Sequence, residues 1–251
     1  MMDFMKVFAL ADLHLAFGAP EKDMQVFGPA WKNYAEKIAT NWKKLITDED
    51  LVLIAGDICW AMNLEQALVD LNWIDQLPGT KVISRGNHDY WWPSKAKLRA
   101  ALPKSIHAID KDATTIGDIT IGGVRLWDSE EYTFNSFIEF QENPRAKEKA
   151  PPDPEQTRKI FDRDLERLKL SLSQLDPNAK TRIAMIHYPP IGADMQDSQT
   201  SKILEEYKID ICVFGHLHNV RPDALPFGEK NGVRYIFTSA DYLDFKSIQI
   251  L

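Results

Sequence analysis

Residues 51–89 read LVLIAGDICWAMNLEQALVDLNWIDQLPGTKVISRGNHD. Leu51 to Ala55 is an unbroken apolar run, the composition and length of a strand buried on both faces. Leu64 to Leu77 carries helical spacing and is closed by Pro78 and Gly79, which stop a helix and turn the chain. Lys81 to Ser84 then reads as a second strand. A helix between two strands carries the chain back to its starting edge, so strand–helix–strand predicts parallel pairing with helices covering the sheet. Both strands stop at a glycine followed by polar ligand types: Gly56-Asp57 after the first, Gly86-Asn87-His88-Asp89 after the second. In open α/β sheets, ligands collect at the carboxyl ends of the strands.

The same grammar extends in both directions. Lys6 to Ala11 is apolar and predicts a strand that ends on Asp12 and His14. Gly18 to Pro29 is punctuated by Pro20, Gly28 and Pro29 and reads as loop. Trp31 to Ile46 places Trp31, Tyr34, Ile38, Trp42 and Leu45 on one helical stripe. Pro93 and Ser94 open a helix that ends before Pro103. From Ile106 to Trp127 the rhythm changes to neighbouring strands joined by tight turns. Asp128 to Pro154 predicts a long surface excursion, and Gln156 to Leu175 an amphipathic helix. Arg182 to Ile186, Ile209 to Phe214 and Val233 to Phe237 resume the strands, and Tyr235 to Leu251 has β character throughout. The expectation is α/β class, one domain over residues 1–251, with the excursion at about 128–154.

Bulk properties narrow the function. The 251 residues are 44% hydrophobic, with a formal net charge of −7. An acidic chain with no basic run argues against binding long nucleic acids, which takes a basic face. Cys59 and Cys212 flank motifs inside apolar runs and read as reduced, packed thiols of a cytoplasmic protein. The N-terminal stretch lacks a basic segment and cleavage site, so it reads as a strand rather than a signal peptide. No apolar run nears the ~18 residues of a membrane span. Oligomeric state has no readable signature.

Five of the six histidines stand at strand ends beside Gly, Asp or Asn: His14, His88, His187, His216 and His218. Neutral imidazoles and carboxylates are the side chains that bind divalent transition metals. So many of them at strand ends points to a two-metal hydrolytic centre. His107 alone has no motif and is assigned no function.

The ordered set resembles the calcineurin-like metallophosphoesterase superfamily, whose pattern is D-x-H, G-D, G-N-H-D/E, H and G-H-x-H. The matches are Asp12/His14, Gly56/Asp57, Gly86-Asn87-His88-Asp89, His187 and Gly215-His216-Leu217-His218, spanning residues 12 to 218. The Tyr-Trp-Trp after the third motif is similar, more loosely, to that of uncharacterised bacterial phosphohydrolases of this superfamily. The resemblance implies a four-layer sandwich, with central mixed sheets flanked by helices and a dinuclear metal site at the strand ends. It implies that Asp12, His14 and His218 hold one metal, that Asn87, His187 and His216 hold the other, and that Asp57 bridges them. His88 would protonate the leaving oxygen or stabilise the phosphoryl group, and Asp89 would orient His88. The cofactors would be two divalent ions, manganese foremost, with iron, zinc, nickel or cobalt as alternatives.

The chemistry agrees with those roles. Two ions ~3.5–4 Å apart need a ligand that reaches both, and a carboxylate has two oxygens to share. A water between them loses a proton near neutral pH and becomes the nucleophile. An imidazole with a pKa near ~6.5 suits protonation of a leaving group. The expected function is hydrolysis of a phosphomonoester or phosphodiester of a small substrate by that bridging hydroxide. Two rivals are a non-catalytic protein-interaction scaffold on the same fold and a nuclease or nucleotide phosphodiesterase. Scaffold members lose ligands or the acid histidine, whereas every position is retained here.

Several neighbouring residues have a plainer reading. Arg85 could contact phosphate but is read as ending its strand towards solvent. Trp60, Tyr90, Trp91 and Trp92 could stack on a base or sugar but are read as ordinary packing. Asp128, Glu130 and Glu131 are read as a solvated face. Gly56, Gly86 and Gly215 fit sharp turns where backbone passes close to the site. Substrate choice is assigned to the 128–154 excursion, the Gly18–Pro29 loop and the aromatic cluster, none of which carries a readable code.

Overall fold

The computed structural model describes residues 5–139, 153–221, 224 and 227–251. Residues 140–152 of the expected excursion lie outside them. The first half of the chain lays down β1 (Val7–Ala9), α1 (Tyr34–Leu45), β2 (Leu51–Ala55), α2 (Leu64–Asp75), β3 (Thr80–Ser84), α3 (Lys95–Ala101) and β4 (Ile106–Ala108). A hairpin of β5 (Ala113–Ile116) and β6 (Ile119–Val124) turns at Gly117-Asp118. Then come α4 (Pro154–Leu172), β7 (Thr181–Ile186), α5 (Gln199–Glu206), β8 (Ile211–Phe214), β9 (Glu229–Lys230), β10 (Val233–Phe237) and β11 (Ile248–Gln249).

Two sheets result. The first has the order β11-β1-β2-β3-β4, parallel except for β11. The second has the order β5-β6-β7-β8-β10-β9, with β6, β7, β8 and β10 parallel and both edge strands antiparallel. Period-two alternation then sorts the side chains into three cores. Val7, Ala9, Leu51, Leu53 and Val82 of the first sheet meet Ile121, Ile183, Met185 and Val213 of the second. The alternate residues Phe8, Val52 and Ile54 face Ile38, Trp42, Leu71 and Ile74 of α1 and α2. Ala184, Ile186, Cys212 and Phe214 face Phe161, Leu165, Leu168 and Leu204 of α4 and α5. The architecture is therefore helix, sheet, sheet, helix, as the resemblance implies. Both sheets are covered on both faces, which is why their central strands are continuously apolar.

Three local readings differ from the sequence expectation. Helix α5 was not anticipated. Its start is a capping box in which Ser198 accepts from Ser201 N while the Ser201 hydroxyl accepts from Ser198 N, so serine takes the place usually held by Glu or Gln. The Gly18–Pro29 loop is tightened into short 3-10 turns at Pro20–Lys22, Met24–Phe27 and Pro29–Trp31. The tail forms strands only at β10 and β11, with turns between them that return the chain across the strand ends. Cys59 and Cys212 are both free and buried, and His107 is exposed on β4. Among the described residues, no helix is long and apolar enough to cross a membrane.

Candidate metal centre

The strand-end segments are stitched together by main-chain bonds. Asp12 N donates to Gly56 O, His14 N to Asp57 O and Leu15 N to Ile58 O, each at 3.0 Å. Ala11 N reaches Thr238 O at 2.8 Å, so the ends of the two sheets meet here. Asp12, His14, Asp57 and His216 all have positive φ, at 58°, 46°, 51° and 76°. Each such residue costs about 1–3 kcal/mol. Three cores, gaining roughly 1.5–3 kcal/mol for each large apolar side chain buried, supply the offset.

Close approach explains the motif glycines. A Cβ on Gly86 would lie 2.1 Å from Asp57 Oδ1, and one on Gly215 2.1 Å from Asp12 Oδ2. Gly56 is doubly constrained, by a φ of +89° and by His187 Nδ1 at 2.6 Å from its would-be Cβ.

All seven expected ligand side chains meet at this seam. Asp12 Oδ1 faces His218 Nε2 at 3.7 Å and His14 Nε2 at 4.0 Å, and those two ring nitrogens are 3.0 Å apart. Beside them, Asn87 Oδ1 lies 2.7 Å from His187 Nε2 and 3.0 Å from His216 Nδ1. Asp57 Oδ2 stands between the groups, 3.7 Å from His14 Nε2 and 3.5 Å from His187 Nε2. Its other oxygen accepts the His88 N–H at 2.8 Å. Of the two Asp57 oxygens, Oδ2 is the one that faces both groups.

The donor set fits cations. Asp12 Oδ1 is buried and has no hydrogen-bond partner among the described residues. Its other oxygen accepts from His216 N and Ser239 Oγ, which fixes the carboxylate with Oδ1 towards the imidazoles. His187 Nδ1 lies 3.0 Å from Ala55 O, an acceptor only, so Nδ1 carries the proton. The Nε2 lone pair of the neutral ring then points at Asn87 Oδ1, another acceptor. A cation seated between the two atoms satisfies that contact.

Electrostatics report the same tension. Burial, the largest single influence, would lower His187, but Asp57, Asp12 and the Ala55 carbonyl together outweigh it and raise the ring to about 9. His218 is raised to about 9 against burial by Asp241. Burial pushes Asp57 up, yet His187, His14 and His88 outweigh it and hold the group well below the usual carboxylate range. Asp12 is pushed up to about 6 by burial, and burial lowers His14 and His216.

Two carboxylates have roles the sequence did not reveal. Asp89 was expected to orient His88. Its oxygens accept from Ile58 N, Cys59 N, Trp91 Nε1 and Gly86 N, and burial lifts it to about 7. Through those donors Asp89 ties the Gly56-Asp57 turn to the Gly86-Asn87 turn. Asp241, which no motif announced, accepts from His218 Nδ1 at 3.0 Å and from Asn219 N at 2.9 Å. It thereby points His218 Nε2 at the centre, as the outer partner of a ligating histidine does.

The aromatic cluster divides. Trp91 and Trp92 are buried in the core under the first sheet. Trp60 stacks on His14 at 5.0 Å and lies 4.4 Å from the His88 ring. Tyr188, also unannounced, stacks on His216 at 3.8 Å.

A family model described as calcineurin-like phosphoesterase matches residues 5–220. The chain belongs to that family. Two solved structures are similar over nearly the whole of this phosphoesterase: a protein of unknown function from Aquifex aeolicus and phosphopantetheinyl hydrolase from Mycobacterium tuberculosis. Each is 15% identical with a TM-score of 0.50; each covers 98% of this chain and, respectively, 96% and 95% of its own. At that identity the likeness is one of fold. No curated protein matches the chain. The family is metal-dependent, and Asp12, His14 and His218, with Asp12, Asp57 and His187, form two groups able to hold an ion.

Proposed function

We propose that this calcineurin-like phosphoesterase hydrolyses a small phosphomonoester or phosphodiester with two divalent ions, manganese foremost. The supporting observation is the place of Asp57 Oδ2, within 3.7 Å of imidazoles from two separate donor groups. Asp12, His14 and His218 would hold one ion, Asn87, His187 and His216 the other, and Asp57 both. When bound, such ions polarise phosphoryl oxygens and acidify water.

The chain's own residues complete the reaction. His88 lines a cavity of about 260 Å³ with Met24, Phe27, Trp31 and Trp60. A proton on its ring would pass to the leaving oxygen of a substrate whose organic part occupies that apolar wall. The wall combines the Gly18–Pro29 loop with one member of the aromatic cluster, the segments expected to govern substrate choice. A second cavity of about 520 Å³, lined by Trp127, Asp128, Tyr188 and His216, flanks the other side. The net charge of −7 and the size of both openings favour a small ligand over a polynucleotide.

Manganese-loaded protein assayed with p-nitrophenyl phosphate and bis-p-nitrophenyl phosphate tests the reading. Hydrolysis of at least one, abolished by chelator and restored by metal, is expected. Inertness towards both with every candidate metal would refute it.

A further inference from the structure

A cavity of about 280 Å³ opens beside the metal centre between the ends of β3 and β6 and the flank of α4. It shares no residue with the proposed ligand set. Its walls carry Arg85, Lys111, Arg125, Arg163 and Arg167 against two carboxylates, Asp110 and Asp164. In a chain of net charge −7 this is a concentrated positive basin.

Internal pairing accounts for part of that charge. Asp164, nearly fully buried, takes Arg167 at 2.9 Å and Arg163 at 3.3 Å, with Arg125 at 3.9 Å. Asp110 pairs with Lys111 at 3.1 Å. Arg85 has no such ion pair among the described residues. It was read as a strand end facing solvent, yet its Nε is buried and has no hydrogen-bond partner among them. The adjacent Ser84 hydroxyl, on a residue only 1% exposed, also has no partner among the described residues. Buried donors of this kind destabilise the fold when unmet. Both belong to residues that line one cationic cavity, and an oxyanion, with several acceptor oxygens, suits guanidinium and hydroxyl donors. The volume admits a phosphate group with water, at ~30 Å³ per water.

We propose that this cavity is a second anion site, which takes a phosphate group through the Ser84 hydroxyl and the Arg85 and Arg167 guanidiniums. Main-chain links couple it to the metal centre: Ser84 and Arg85 lead directly into Gly86-Asn87, and Arg125 O accepts from His187 N and Tyr188 N at 3.2 and 3.0 Å. The phosphate is either a free ion or a second phosphate of the substrate held next door. The site does not depend on the proposed hydrolysis, since its occupancy is read without turnover.

The test is calorimetric titration of inorganic phosphate into the metal-loaded full chain. Two binding events per chain are expected, one at each site, with the second weakening as salt rises. Arg85→Gln and, as a variant remote from the metal turns, Arg167→Gln should each weaken one event roughly ten- to a hundredfold while metal content stays unchanged. Wild-type titrations unaltered by either variant would overturn the proposal. A KM rise in Arg167→Gln larger for a bisphosphorylated substrate than for p-nitrophenyl phosphate assigns the site to the substrate. Loss of the event with no such difference assigns it to the free ion.

Discussion

Replacing Asp241 by Asn probes one half of the centre without touching a ligand. The carboxylate accepts from His218 Nδ1 at 3.0 Å and from Asn219 N at 2.9 Å, and together with Asp12 and Asp57 it holds the ring up at about 9 against burial. Asn has the same shape and its carbonyl still accepts one of the two N–H groups, so the turn survives. What disappears is the negative charge that fixes the tautomer and strengthens Nε2 as a donor to metal. Loss of such an outer partner lowers metal affinity by about 10–100-fold, or about 1.4–2.7 kcal/mol at a tenfold per 1.4 kcal/mol. Manganese titration of chelator-stripped protein, followed by p-nitrophenyl phosphate turnover, should show the half-activating concentration rising by that factor. Turnover at saturating manganese should recover to within a few-fold of wild type, because His88 and the second donor group are untouched. An unchanged manganese requirement, or a loss that excess metal does not repair, would refute the reasoning.

His88→Ala should retain its metal by elemental analysis yet lose ~10²–10⁴-fold in turnover; loss of metal would mean that His88 is a ligand. Gly86→Ala should fail to load metal and melt earlier, since its Cβ falls 2.1 Å from Asp57 Oδ1, whereas Gly228→Ala, with nothing within 4 Å, should lie within ~0.5 kcal/mol of wild type by chemical denaturation. Metal loading should be linked to pH. His187 and His218 are held at about 9 in the metal-free chain and must shed protons to bind, so the apparent affinity should climb as pH rises towards 9, by up to about tenfold per unit for each proton displaced, and flatten above it. Calorimetry in buffers of different ionisation enthalpy counts those protons, and a pH-independent affinity would contradict the assignment.

The donor residues were legible because they obey a positional rule. Each lies directly after an apolar strand, and parallel strands deliver their ends to one place. The four layers were legible from the same runs, since Leu51 to Ala55 must be covered on both sides. What stayed hidden depends on contacts between distant segments. Asp241 follows β10 as the other acids follow their strands, but no histidine marks it, and the tail read as continuous β structure. For Asp89, sequence adjacency to His88 says nothing about the Ile58 and Cys59 amides that cross over to meet it. Arg85 looked like an ordinary strand end because its environment is built by β6 and α4, far along the chain. Helix α5 was missed because serine fills both positions of its capping box.

Anomalous scattering from a manganese-soaked crystal addresses the centre itself. Two peaks are predicted, one touching Asp12, His14 and His218 and the other Asn87, His187 and His216, with Asp57 Oδ2 in contact with both. A single peak, or two that leave Asp57 to one side, would contradict the dinuclear assignment.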